Sequence, residues 1–195
     1  MDDIGTLYEE LIIAGFGGQG IMLAGKLLAQ ASMVGDHQVT FMPSYGAEVR
    51  GGTANCMVVI ADEPIAAPLV TDPDSLIALN KASVTKFTKR IKAGGLLVVN
   101  SSMVEQLPQR NDVTILPVPA DNIAVELNSP RSANMVVLGA YLAQRGFLDI
   151  DAVVDCLADV LAKRHHHTLD VNAEALRRGA ALAETVITQT GRFQA

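Results

Sequence analysis

The chain has 195 residues, of which 49% are apolar, 18% charged and 4% aromatic, with no tryptophan and a net charge of −6. Without a basic block it lacks the positive stripe that free nucleic-acid binding requires. Two cysteines, Cys56 and Cys156, and no C-x-x-C exclude a four-thiolate iron–sulfur or zinc centre within this chain. No apolar run approaches the ~20 residues of a bilayer span.

In chain order, the apolar run at residues 11–14 predicts a buried first strand, and the glycine-rich segment 15–20 a turn. Residues 21–35 have helical periodicity and end at a glycine. A second strand is expected at 38–42, stopped by Pro43, and a third at 53–62. Residues 63–74, rich in proline, read as loop. Strands follow at 75–80, 96–102 and 113–118, with a helix over 82–92 closed by Gly94 and Gly95. Helices are expected near 120–126, 132–145, 149–163 and 172–188, with Ser132 and Asn172 as N-caps. The later strands lack polar alternation, so helices should cover both faces of the sheet. The expected fold is a single three-layer α/β/α domain over residues 1–195, with a mostly parallel, Rossmann-like sheet. With a mean hydropathy of +0.27, such a chain buries a dense aliphatic sheet or covers surface with a partner.

Gly15, Gly17 and Gly20 fit G-x-G-x-x-G between a strand and a helix. Glycines let a backbone approach an anion, and a helix N-terminus offers unpaired N–H groups. Gly18 and Gln19 complete the turn, and Gln19 can both donate and accept at a neighbouring surface. Dinucleotide binding also wants an acid at the end of the second strand. That strand ends in Phe41, Met42 and Pro43, and Asp36 precedes it, which disfavours NAD or FAD. The turn is either an anion cradle or a tight packing turn.

Residues 44–52 place Tyr45, Glu48 and Arg50 among Ser44, Gly46, Gly51 and Gly52. Such loops carry polar groups at the carboxyl end of open α/β sheets. Arg50 suits a carboxylate or phosphate through its planar fork, and Glu48 is near enough to orient it. A solvent-exposed turn with a Glu–Arg pair accounts for the same residues.

Together, GFGGQG at 15–20 and SYGAEVRGG at 44–52 resemble the two signatures of the gamma subunit of the 2-oxoacid:ferredoxin oxidoreductases. The likeness continues through TANCMVVIADEPIAAPLV, DPDSLIALN and PADNIAVELNSPRSANMVVLGAYL, and so covers residues 11 to about 142 in order. It implies a subunit, inactive alone, of a complex that decarboxylates a 2-oxoacid, forms its acyl-coenzyme A and reduces ferredoxin. Thiamine diphosphate, Mg2+ and iron–sulfur clusters then belong to alpha, beta and ferredoxin-like partner subunits, with coenzyme A as co-substrate. The implied cofactor-facing residues are Gly15, Gly17, Gly18, Gln19, Gly20, Ser44, Tyr45, Gly46, Arg50, Gly51 and Gly52, with Glu48 and Arg50 the catalytic candidates. Of the 2-oxoacids, the wording of residues 53–80 favours 2-oxoglutarate or a branched-chain acid, 2-oxoglutarate first. The acidic N-terminus carries no signal peptide, which points to the cytoplasm.

Two readings compete: a stand-alone nucleotide-binding domain, and the small subunit of indolepyruvate oxidoreductase. His165, His166 and His167 are consecutive, so on a helix they diverge by ~100° each and do not converge on a metal. Asn134 either partners a helix cap or reaches the glycine turn, the structural role being favoured. Ser101 and Ser102 have no histidine base nearby in sequence. The five cations between Lys81 and Lys92 read as a solvated helix face.

Overall fold

The computed structural model describes residues 6–45 and 53–191. Six strands form one sheet in the order β2-β3-β1-β4-β5-β6. They are β1 (Tyr8–Phe16), β2 (Gln38–Tyr45), β3 (Thr53–Ala61), β4 (Ser75–Ala78), β5 (Leu96–Asn100) and β6 (Thr114–Val118). β1, β4, β5 and β6 pair in parallel, while β3 runs antiparallel to both β1 and β2. Five strands therefore point one way and β3 alone points back. Both edge strands carry a proline, Pro43 in β2 and Pro117 in β6, which blunts an edge against further pairing.

The helices are α1 (Ile21–Val34), α2 (Lys81–Phe87), α3 (Ala120–Glu126), α4 (Ala133–Arg145), α5 (Ile150–Asp155), α6 (Leu157–Val160) and α7 (Leu169–Gly191). Side chains at alternate positions of β1 go to opposite faces. Leu11 and Ile13 join α1, α4 and α7 in the larger core, and Ile12 and Ala14 join α2 in the smaller one. α4 is buried from Ala133 to Leu142, all round its circumference. It lies so close to α7 that a Cβ at Gly139 would fall onto the Leu176 carbonyl oxygen, and one at Gly179 onto the Val136 carbonyl.

The expected helix over 82–92 is shorter, beginning at Lys81 and passing into a 3-10 turn at Thr88–Arg90. Its cations are not all solvated. Arg90 donates to the carbonyls of Val70 and Thr71, and Lys92 pairs with Glu10 and Asp74. The expected helix over 149–163 is broken into α5 and α6, followed by a 3-10 turn at Lys163–Thr168. Asn172 is no N-cap: α7 begins three residues earlier, and the Asn172 amide donates to the Thr168 carbonyl at 2.9 Å. Ser132 does precede α4, but its hydroxyl pairs with that of Ser129 at 2.7 Å and caps nothing. The caps that do form are Asn80, accepting from Ser83 N at 2.9 Å, and Asp149, accepting from Asp151 N at 2.8 Å.

Candidate functional site

α1 leaves β1 on one face of the sheet, and α2 leaves the adjacent parallel strand β4 on the other. The two connections diverge at the carboxyl ends of β1 and β4, the place where open α/β sheets bind ligands. The glycine turn sits there. Gly18 and Gly20 take φ of +96° and +73°, left-handed values that favour glycine. Gly20 is the N-cap of α1 and offers no side chain, so the first N–H groups of the helix meet no capping oxygen.

Neutral amides hold the turn. Gln19 Oε1 accepts from Phe16 N at 2.7 Å and from Asn80 Nδ2 at 3.0 Å, and Gln19 Nε2 donates to the Leu79 carbonyl at 3.4 Å. The Gln19 carboxamide is thus engaged within the chain. Asn100, fully buried at the end of β5, donates to Asp121 Oδ2 at 2.5 Å and accepts from Ser102 N at 3.2 Å. Asn134 reaches the turn from α4, its Nδ2 donating to the Gly20 carbonyl at 3.1 Å. That amide occupies the space a Cβ at Gly20 would need.

The second motif converges on the same end. Thr53 pairs with Phe16 and Tyr45 pairs with Ala54, so the flanks of residues 46–52 lie at the same end of the sheet as the glycine turn, Thr53 beside it and Tyr45 one strand further out. Ser44 is exposed there. Gly46, Glu48, Arg50, Gly51 and Gly52 lie outside the described residues. Near these flanks the buried carboxamide oxygen of Asn55 has no partner among the described residues.

A cleft of about 250 Å³ opens next to the turn, between Gly18, Gly20, Arg131, Asn134 and the 3-10 turn that carries His165 and His167. The three histidines do not converge. His166 turns to the Leu161 carbonyl, while His165 and His167 line the cleft. Among the described residues no group of three His, Cys, Asp or Glu is placed to hold a metal ion. Cys56 and Cys156 are free and buried. Burial pushes the Cys56 thiol up to about 12, so it supplies no nucleophile. No helix among the described residues is long and apolar enough to cross a membrane.

The family profile described as pyruvate ferredoxin/flavodoxin oxidoreductase matches residues 10–182. The chain belongs to that family. It is 35% identical over 180 residues to the 2-oxoglutarate synthase subunit KorC of Methanocaldococcus jannaschii, covering 90% of this chain and 94% of that one. It is 34% identical over 170 residues to the ketoisovalerate oxidoreductase subunit VorA of Methanothermobacter marburgensis, covering 86% of this chain but only 35% of VorA. Among solved structures, the gamma subunit of the keto/oxoacid ferredoxin oxidoreductase from Geobacter sulfurreducens superposes with a TM-score of 0.80 at 29% identity. That match covers 92% of this chain and 98% of the gamma subunit. A 2-oxoglutarate:ferredoxin oxidoreductase from Magnetococcus marinus, solved with 2-oxoglutarate, coenzyme A and succinyl-CoA, gives 0.81 at 29% identity over 91% of this chain and 31% of that one. The family member described here therefore has the fold of a gamma-type subunit along nearly its whole length.

Nothing in the sequence joins Arg131 to His165 and His167, which on a helix would diverge. Thirty-four residues separate Arg131 from His165, and only the fold brings them together.

Proposed function

We propose that this chain is the gamma subunit of a 2-oxoacid:ferredoxin oxidoreductase, inactive alone, in a complex that converts 2-oxoglutarate to its acyl-coenzyme A and reduces ferredoxin. The observation that carries the reading is the uncapped glycine turn at the divergence of α1 and α2, in a chain that matches a gamma subunit over 92% of its length. Thiamine diphosphate, Mg2+ and the iron–sulfur clusters reside in alpha, beta and ferredoxin-like partners in the cytoplasm. Coenzyme A meets this subunit through the N–H groups of Gly17, Gly18 and Gly20, which suit its pyrophosphate, the Gln19 N–H being spent on the Phe16 carbonyl. The segment 44–52 faces the assembled active site, where Glu48 orients Arg50 onto an anionic group. KorC and VorA match about equally well. The 2-oxoglutarate choice is supported by KorC, a 2-oxoglutarate synthase subunit that aligns along almost its full length.

The test is an anaerobic pull-down of the tagged chain from its host, with the eluate assayed for 2-oxoacid- and coenzyme A-dependent reduction of a viologen dye. Partners that co-purify with activity on 2-oxoglutarate support the reading. Activity only on a branched-chain oxoacid corrects the substrate, and a lone inactive chain sinks the assignment. Arg50→Ala should lower turnover while the complex still assembles; failure to assemble would make residues 44–52 an interface instead.

A further inference from the structure

The cleft beside the glycine turn has a charge pattern unlike the rest of the molecule. The chain carries a net charge of −6, yet among the described residues the lining of this cleft contains an arginine and two histidines and no carboxylate. Every other described arginine is engaged. Arg90 binds two carbonyls, Arg110 pairs with Asp112, Arg145 with Glu9, Arg177 with Asp151 and Arg178 with Glu126, and Arg164 donates to His165. Arg131 alone has neither hydrogen bond nor ion pair among the described residues, and it is exposed at the cleft.

The opposite wall presents two imidazoles whose ring positions are set by Arg164. His165 Nε2 accepts from Arg164 Nε at 3.1 Å, which leaves the hydrogen of the neutral ring on Nδ1. His167 Nδ1 donates to the Arg164 carbonyl at 3.0 Å, which fixes the ring and leaves Nε2 toward the open side, a donor to an anion only when the ring carries both hydrogens. The two rings lie 6.3 Å apart between centroids. Ser129 and Ser132 add hydroxyls on the Arg131 side. A planar arginine fork facing the His165 N–H, hydroxyl groups and a second imidazole that donates once protonated, with no acid among the described lining residues, is a site for a doubly charged oxyanion.

We propose that Arg131, His165 and His167 form a phosphomonoester subsite beside the glycine turn, so that the subunit recognises a ligand by two separate phosphate groups. The proposal rests on the reading of coenzyme A as that ligand: its pyrophosphate takes the turn and its 3′-phosphate takes the cleft. The segment 161–172 is then a specificity element that distinguishes coenzyme A from its 3′-dephospho form.

The experiment uses the purified complex and compares KM for coenzyme A with KM for 3′-dephospho-coenzyme A, for wild type, Arg131→Met and the double variant His165→Gln/His167→Gln. The wild type should favour coenzyme A, and each variant should shrink the ratio of the two KM values by tenfold or more. A ratio near one in the wild type, or one left unchanged by both variants, overturns the subsite. A second measurement separates this from the functional reading: calorimetric titration of the same complex with adenosine 3′,5′-bisphosphate. If the complex proves independent of coenzyme A but binds the bisphosphate, and Arg131→Met weakens that binding tenfold, the subsite stands and the functional reading fails. Equal binding to wild type and variant overturns the subsite whatever the assay shows, and leaves the functional reading to its own test. Arg131 is exposed, so thermal melts of Arg131→Met should coincide with wild type and exclude misfolding.

Discussion

The two ends of the sheet are both polar but built on opposite terms. At the amino end the charges that pack against the strands are paired. Glu9 is buried, accepts from Tyr141 Oη at 3.1 Å and lies 3.1 Å from Arg145 Nε, which itself donates to Ser75 Oγ at 2.8 Å. Beside it Lys92 bridges Glu10 at 2.7 Å and Asp74 at 2.9 Å. At the carboxyl end the groups that order the glycine turn are uncharged amides, Gln19, Asn80 and Asn134, and the cleft keeps one arginine with no partner among the described residues. Closed charge networks position strands, whereas neutral bracing around an open cation leaves charge recognition to something that arrives from outside.

This contrast is open to attack by substitution. The largest effect is expected for Arg145→Met, which strips the cation from a buried carboxylate; about 3 kcal/mol should be lost in urea unfolding. A loss under about 1 kcal/mol would mean that Glu9 is not charged in the fold. Gly20→Ala comes next, costing about 2 kcal/mol because a left-handed backbone acquires a Cβ that strikes the Asn134 amide. In the complex the same variant should raise KM for coenzyme A, and an unchanged KM would separate the turn from ligand binding. Asn80→Ala removes a helix cap and one hold on Gln19, for about 1 kcal/mol. A cost equal to that of Arg145→Met would erase the distinction between the two ends.

The smallest effect is in pH dependence. Burial pushes the Glu9 carboxyl above its ordinary range, against the lowering by Ser75, Arg145 and Tyr141. The folded chain therefore keeps that proton to higher pH than the unfolded chain. This favours folding below the ordinary carboxylate value and is lost as pH rises through the raised one. Relative to Glu9→Gln, the wild type should weaken across that window. Asp112, held low chiefly by the Arg110 guanidinium, has the opposite sign: its contribution is present above the ordinary value and disappears on acidification through the lowered one. Urea midpoints of Glu9→Gln and Asp112→Asn followed from pH 3 to 7 should diverge from wild type in opposite directions, and parallel curves would refute both assignments.

Most of the framework was legible in advance because the buried strands announce themselves as short aliphatic runs and the glycine turn has only one strand-to-helix setting. The reversal of β3 was not. A nine-residue apolar strand has the same pattern in either direction, and the direction is set by how the chain returns after β2. The break after α5 was hidden too, since residues 149–163 keep enough apolar periodicity to suggest one helix. Asn80 carried a readable signal, an amide closing an apolar run, but its hold on Gln19 depends on β1 and β4 lying side by side. The cleft was invisible because Arg131 and His165 meet only through tertiary packing.

One contact governs the tolerance of that cleft. Asn134 and Asn172 line it from α4 and α7, the two helices that touch backbone to backbone at Gly139 and Gly179. Two hydrogens in place of two methyls act as the shim that sets how near these helices may come. The pocket is therefore calibrated from outside itself: a single methyl inserted at Gly139 would force the pair apart and alter the pocket's gauge, with every lining side chain still in place.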